Sequence, residues 1–192
     1  MVMTPEETIE ELSRHYRAII ELIGEDASRE GLVKTPMRAA KALYYATSGY
    51  REDAKALMRE AVFEHCGSQI VMVKDIEFYS FCEHHILPFF GKVSVGYIPD
   101  GEIIGLSKLA RVVNVFARRL QVQERLTKEI CKAVSESIST KGVMVVCEAE
   151  HLCMKMRGVE KQDSSTVTTD YIGAFEKDSS LRHEFLKLLA SK

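Results

Sequence analysis

This chain lacks any long hydrophobic run. A membrane-crossing helix needs about 20 consecutive apolar residues, and no stretch here comes near that, so a span of that kind is excluded. It also lacks an excess of either charge. Its 26 Lys and Arg stand against 28 Asp and Glu, a net charge of −2, which gives no bulk field to draw it to nucleic acid or an anionic membrane. There is no internal repeat, no low-complexity tract and no glycine-rich Walker run, so any phosphate is not held by a P-loop. The five cysteines are an odd number without the look of a small disulfide scaffold, and a reducing cytoplasm is the expected setting. Met1-Val2-Met3-Thr4-Pro5-Glu6-Glu7 has neither a basic start nor an apolar stretch, so it does not read as a signal peptide.

What is present suffices for one ordinary domain, or one domain with an arm: 192 residues, 46% of them hydrophobic and 28% charged. Thr4-Pro5-Glu6-Glu7 predicts a helix start, with Thr4 as cap, Pro5 in the first turn and Glu7 closing a capping box. Ile9, Leu12, Tyr16, Ile19 and Ile20 follow as one stripe, and Gly24 is the expected stop. Thr35-Pro36 repeats the start signal for a helix up to Gly49, and Asp53 to Glu60 predicts a further short helix. These elements make an N-terminal α-helical arm, taken as residues 1–62.

From residue 63 the chemistry changes. Ile70 to Tyr79 is rich in β-branched and aromatic residues, Lys92 to Ile98 alternates, and Pro99-Asp100-Gly101 is a turn. Ser107 is the expected cap of a helix to about Arg119, and a second helix is expected from Gln123 to about Ser139. Val143 to Arg157 and Ser165 to Phe175 return to strand, and Leu181 to Leu189 is a last helix. Strand, strand, helix, helix, strand, strand predicts an α+β layer, an antiparallel sheet with helices on one face. If Val143 to Arg157 is extended without a bulge, His151, Cys153 and Arg157 share a face.

Chemistry concentrates in Ser80-Phe81-Cys82-Glu83-His84-His85 and His151-Leu152-Cys153. Cys82 and His85 can close on one metal ion from a tight turn, and Cys153 can supply a third ligand. Two thiolates and an imidazole suit zinc. Three protein ligands leave a tetrahedral zinc one position short, which is where a catalytic zinc holds water. Cys66, Cys131 and Cys147 read as packing residues, yet any of them could complete four ligands and make the zinc structural. His84 and His151, beside the ligands, are candidate proton carriers. Gly105-Leu106-Ser107-Lys108-Leu109-Ala110-Arg111 opens a helix, where backbone N–H groups with Lys108 and Arg111 could attract an anion; a basic solvent-facing turn is the alternative. Glu124 could accept two hydrogen bonds from a guanine edge, or pair with Lys128 one helical turn on.

Together these segments resemble the zinc-dependent GTP cyclohydrolase I family. The resemblance is carried by Thr35-Pro36-Met37-Arg38-Ala39-Ala40-Lys41, by Cys82-Glu83-His84-His85-Ile86-Leu87-Pro88-Phe89-Phe90-Gly91-Lys92, and by Gly105 to Arg111. Gln121-Val122-Gln123-Glu124-Arg125-Leu126-Thr127, His151 to Val159, Thr166 to Thr169 and Arg182 to Leu186 complete it, from about residue 5 to 189. It implies Cys82, His85 and Cys153 as zinc ligands and His84 and His151 as proton-transfer groups. Glu124 would hold the guanine edge with Gln123 lining the same pocket. Ser107, Lys108, Arg111 and Arg157 would face triphosphate and ribose, Ser107 doubling as a proton donor to the sugar, joined by Arg38 or Lys41 from the arm. The implied fold of residues 63–192 is the tunnelling fold, an antiparallel four-stranded sheet layered with two long helices. The implied reaction takes GTP and water to formate and 7,8-dihydroneopterin triphosphate, at the head of folate and tetrahydropterin synthesis. The implied assembly is a homodecamer of two pentameric rings with active sites between subunits. Leu120 departs from the family, many members having proline there.

Overall fold

The computed structural model describes residues 3–191; Met1 and Val2, part of the N-terminal reading, lie outside them. It contains two compact units, one up to Ser48 and one from Gly49.

In the first unit, helix α1 (Pro5–Leu22) packs on α2 (Thr35–Ala46). The capping box forms: Thr4 Oγ1 accepts from the Glu7 amide at 3.2 Å and Glu7 Oε2 from the Thr4 amide at 2.8 Å. Gly24, at φ +90, lies just past the end, in the left-handed region glycine tolerates. α2 begins one residue earlier than its start signal implies. Thr35 is inside the helix, Lys34 is the cap residue, and Thr35 Oγ1 bonds back to the Gly31 carbonyl.

A 3₁₀ turn (Ser48–Arg51) begins at the boundary and leads, in the second unit, to α3 (Ala54–Arg59), whose amides at Lys55 and Ala56 donate to Asp53 Oδ1. Then come β1 (Val62–Glu64), β2 (Val71–Cys82), β3 (Pro88–Pro99), β4 (Glu102–Ile104), α4 (Leu106–Ala117), β5 (Leu120–Gln121), α5 (Gln123–Ser137) and β6 (Thr140–His151). The chain closes with α6 (Leu152–Lys155), β7 (Thr166–Gly173), α7 (Ala174–Lys177) and α8 (Ser179–Ala190). The expected order of long elements holds: β2, β3, α4, α5, β6, β7. The sheet order is β5-β2-β3-β6-β7, antiparallel throughout except that β5 joins β2 in parallel through Phe81–Leu120 and Cys82–Gln121. β1 and β4 form a separate antiparallel pair. The architecture is mixed α+β. The two-residue strand at Leu120, the position that departs from the family, makes five strands where four were expected.

The core explains this arrangement. Leu109, Val112 and Val113 of α4 and Leu126, Ile130 and Val134 of α5 pack against one sheet face, with Phe78, Val93, Val95, Tyr97, Val143, Val145 and Cys147. Met144 and Val146 point the other way and pack with Phe175 and Phe185 of α7 and α8. Residues 142–147 are therefore buried on both faces, which is why that strand reads as a continuous apolar run rather than an alternating one. Beyond it, Glu148 and Glu150 are exposed. Gly91 sits opposite Ala149, and a Cβ there would lie 1.9 Å from the Glu148 carbonyl oxygen, so only glycine lets β3 and β6 approach beside the strand ends that carry the site.

Two further expectations fail in detail. Ser107 is not the cap of α4: that position is Gly105, and Ser107 is exposed in the first turn. The strand from Val143 does not reach Arg157. It stops at His151, and Leu152–Lys155 is a helical turn, so His151, Cys153 and Arg157 do not form a row on one strand face.

Candidate metal centre and active site

β2 ends in Cys82. The turn that follows is pinned by Cys82 itself, whose carbonyl accepts from the amides of His85 at 3.3 Å and Ile86 at 2.8 Å, while its own amide donates to the Leu87 carbonyl at 2.9 Å. Ile86 has φ +52, an outlier for a β-branched side chain and a mark of a turn whose shape is imposed by its surroundings. The turn brings His85 Nδ1 to 3.8 Å from Cys82 Sγ, and the helical turn after β6 delivers Cys153 to the same place. The ligand atoms of Cys82, His85 and Cys153 all lie within 4.8 Å of one another. The sulfurs are buried and the imidazole is exposed.

The chemistry of this donor set fits a soft divalent cation. Burial, and the Cys82 sulfur against it, push the Cys153 thiol up. Two thiolates side by side in a dry place repel, and a cation between them removes that penalty. Among the described residues no further His, Cys, Asp or Glu joins the cluster. Cys66 is exposed between β1 and β2. Cys131 and Cys147 are buried in α5 and β6, and burial pushes the Cys147 thiol up to about 12.

His84 is exposed, its Nδ1 3.9 Å from Cys82 Sγ and its Nε2 3.8 Å from Glu83 Oε1. Glu83 is in turn paired with Arg125, which also donates to Gln121 Oε1 at 2.9 Å, so α5 braces the turn. Residue patterns did not single out Glu83 and Arg125; both stand inside the motifs, and only their spatial pairing reveals the brace.

His151 is half-buried at the end of β6. Its ring lies parallel to that of Phe89, its register partner on β3, with centroids 4.7 Å apart and planes 2° from parallel. Its Nε2 is 2.8 Å from Gln123 Oε1. Burial lowers its pKa, and the negative charge of Glu124 pulls the other way. Glu124 is exposed in the first turn of α5, and no ion pair to Lys128 is found among the described residues. Gln123, expected beside it in a guanine pocket, is 2% exposed. Its amide hydrogens go to the carbonyls of Cys147 at 3.0 Å and Thr166 at 2.9 Å.

The expected anion group lies at the start of α4. Ser107 and Arg111 are exposed on α4, while Lys108 is buried with its Nζ 2.5 Å from Glu60 Oε2. Lys108 foremost, with a smaller effect from Arg111, holds the Glu60 carboxyl below its usual range. A carboxylate in the cluster was not foreseen. Arg157 is exposed beyond α6, close enough for its charge to be felt at Cys153. Arg38 and Lys41 are exposed on α2, in the other unit. A groove of about 390 Å³ lined by Glu77, Tyr79, Phe90, Lys92, Glu148 and Glu150 contains none of the candidate ligands.

The model of the family described as GTP cyclohydrolase I matches residues 12–190. This chain belongs to the GTP cyclohydrolase I family. Among its relatives, a GTP cyclohydrolase 1 of Porphyromonas gingivalis is 57% identical over 187 residues, covering 97% of this chain and 96% of that one. One of Bacteroides fragilis is 55% identical over 96% of this chain and 94% of the relative. One of Drosophila melanogaster is 51% identical over 98% of this chain and 58% of its own longer length. A solved archaeosine synthase QueF-Like shows only 17% identity and a TM-score of 0.42, over 55% of this chain and 94% of that one. No described helix of this family member is long and apolar enough to cross a membrane.

Proposed function

We propose that this chain is a GTP cyclohydrolase I, hydrolysing the imidazole ring of the guanine of GTP with release of formate and formation of 7,8-dihydroneopterin triphosphate. The observation that carries the reading is the Cys82, His85, Cys153 cluster, with His151 two residues before Cys153 in the chain, in a protein the family model spans from residue 12 to 190. Cys82, His85 and Cys153 would hold zinc. When bound, zinc supplies Lewis acidity, which can bring the pKa of water from 15.7 to roughly 7.

The remaining work falls to the chain's own residues. Glu124 accepts from the N1–H and 2-amino group of guanine and orients the base. His151 and His84 take and return protons as C8 is hydrated, the ring opens and a second hydrolysis releases C8 as formate. The ribose then opens and rearranges, with Ser107 as proton donor to the sugar, and closure of the new ring expels water, so one water is consumed overall. Arg111 and Arg157 hold triphosphate and ribose, joined by Lys108 once the triphosphate displaces Glu60 from its ammonium, and Arg38 or Lys41 reaches the phosphates of a neighbouring subunit's site. Orientation of this kind contributes more than any single proton transfer.

The tunnelling fold is supported by α4 and α5 lying on one face of the β2-β3-β6-β7 array. A decamer of two pentameric rings is supported by the second edge of β7, which has no partner strand among the described residues. A cytoplasmic setting is supported by five cysteines all unpaired. A role in folate or tetrahydrobiopterin synthesis goes with the product. The test is to incubate purified protein with GTP and follow formate and, after oxidation, neopterin fluorescence, with and without a chelator. Both should appear and both should stop on metal removal; GTP left intact by metal-loaded protein would overturn the reading.

A further inference from the structure

Gln123 and Glu124 are adjacent at the start of α5, and the helix turns them apart. Glu124 is exposed, whereas Gln123 points inward and is 2% exposed. A glutamine amide has two N–H donors and one oxygen acceptor. Both donors are engaged, on the carbonyl oxygens of Cys147 at 3.0 Å and Thr166 at 2.9 Å. Turning the amide over would set its oxygen against those two carbonyl oxygens, so the orientation is determined. Oε1 must therefore face His151 Nε2, 2.8 Å away, and an amide oxygen can only accept. The hydrogen of the neutral imidazole must then be on Nε2.

We infer that Gln123 is a positioning residue that holds His151 with its hydrogen on Nε2 and its lone pair on Nδ1, and is not a residue that meets the guanine. The inference deepens the proposed function and rests on its reading of His151 as a proton carrier. Two restraints act on one ring. Stacking on Phe89 sets its plane, and the bond to Gln123 sets its rotation within that plane. The clamp is itself braced, because Thr127 Oγ1 bonds the Gln123 carbonyl at 2.8 Å and Thr168 Oγ1 at 2.6 Å, tying the start of α5 to β7. In the reaction His151 takes a proton from water at Nδ1, and the resulting imidazolium keeps its Nε2–H on Gln123. The same proton leaves from Nδ1, so ring and amide return unchanged. A histidine offering either nitrogen would spend part of its time with the hydrogen on the wrong side.

The experiment pairs kinetics with spectroscopy. In Gln123→Met, similar in length without amide groups, kcat should fall about 10- to 100-fold, while KM for GTP stays within about twofold and bound zinc per chain is unchanged. Nitrogen-15 histidine resonances of the wild-type protein, with and without zinc, should show His151 protonated at Nε2. A raised KM with intact kcat in Gln123→Met would make Gln123 a substrate contact and overturn the inference, as would a wild-type His151 carrying its hydrogen on Nδ1. The spectrum decides even if the methionine variant does not fold. His151→Ala separates the two layers: normal turnover in it would end the reading of His151 itself, whereas lost turnover beside a normal Gln123→Met would end only the positioning role.

Discussion

Four of the five cysteines are buried, and they form two contrasting pairs. Cys131 and Cys147 lie mid-helix and mid-strand in the layer between the sheet and α4 and α5, where Cys131 Sγ sits 3.8 Å from the Val143 carbonyl. Cys82 lies at the end of β2 and Cys153 in the helical turn just after β6, where the chain turns sharply and a histidine can join them. All four are buried, although Cys82 and Cys153 keep 6% and 9% exposure where Cys131 and Cys147 keep none. Burial by itself makes an inert thiol. Convergence of donors where regular structure stops makes a site, because only there do side chains from consecutive turns point at one another.

The largest effect that would sharpen this contrast is loss of metal. Cys82→Ser or Cys153→Ser should remove bound zinc and reduce formate release to background, whereas Cys131→Ala and Cys147→Ala should keep both; metal analysis beside the turnover assay reads this, and equal loss from both pairs would erase the distinction. Next comes His151→Ala, expected to keep zinc and lose about 10²–10⁴-fold in kcat; loss of zinc instead would make His151 a ligand. Glu124→Ala should cut discrimination between GTP and ATP by at least about 100-fold, since donors on the guanine edge are left unpaired; unchanged preference in competition assays would remove Glu124 from that role.

The smallest effect belongs to the core pair and carries a sign. Burial raises the Cys147 thiol from 9.0 to about 12 in the folded chain. Below pH 9 the group is neutral in both states and its contribution is fully present. As pH rises from about 9 to about 12 the unfolded chain ionises first, so stability falls by up to about 1.4 kcal/mol per pH unit. Denaturant titrations of Cys147→Ala should show a shallower alkaline decline than wild type, and parallel curves would contradict the assignment.

What could be read without coordinates was local or repetitive. The Thr4 box needs four consecutive residues and formed as expected, and the order of long elements followed from apolar periodicity. The Cys82-to-His85 spacing limits the pair to one turn, so their approach was legible as well. Legibility failed where a distant group decided the outcome. The expected row of His151, Cys153 and Arg157 assumed that strand chemistry continues past His151, but the chain coils there into the turn that carries Cys153 to Cys82. The role of Gln123 depends on carbonyls 24 and 43 residues away in sequence, and no local pattern encodes which amide will find them. Lys108 likewise read as a free cation, whereas in the fold Glu60, just past the end of α3, lies against it.

The order of residues alone determined which groups were available: soft donors in two short motifs, imidazoles beside them, and apolar faces able to bury a sheet under two helices. Those choices are covalent and survive in any conformation. Tertiary structure decided which groups face one another, and hence which histidine nitrogen carries hydrogen and which lysine is already paired. The physical reason is that hydrogen bonds and ion pairs act over a few ångströms, and only folding brings groups many tens of residues apart within that range.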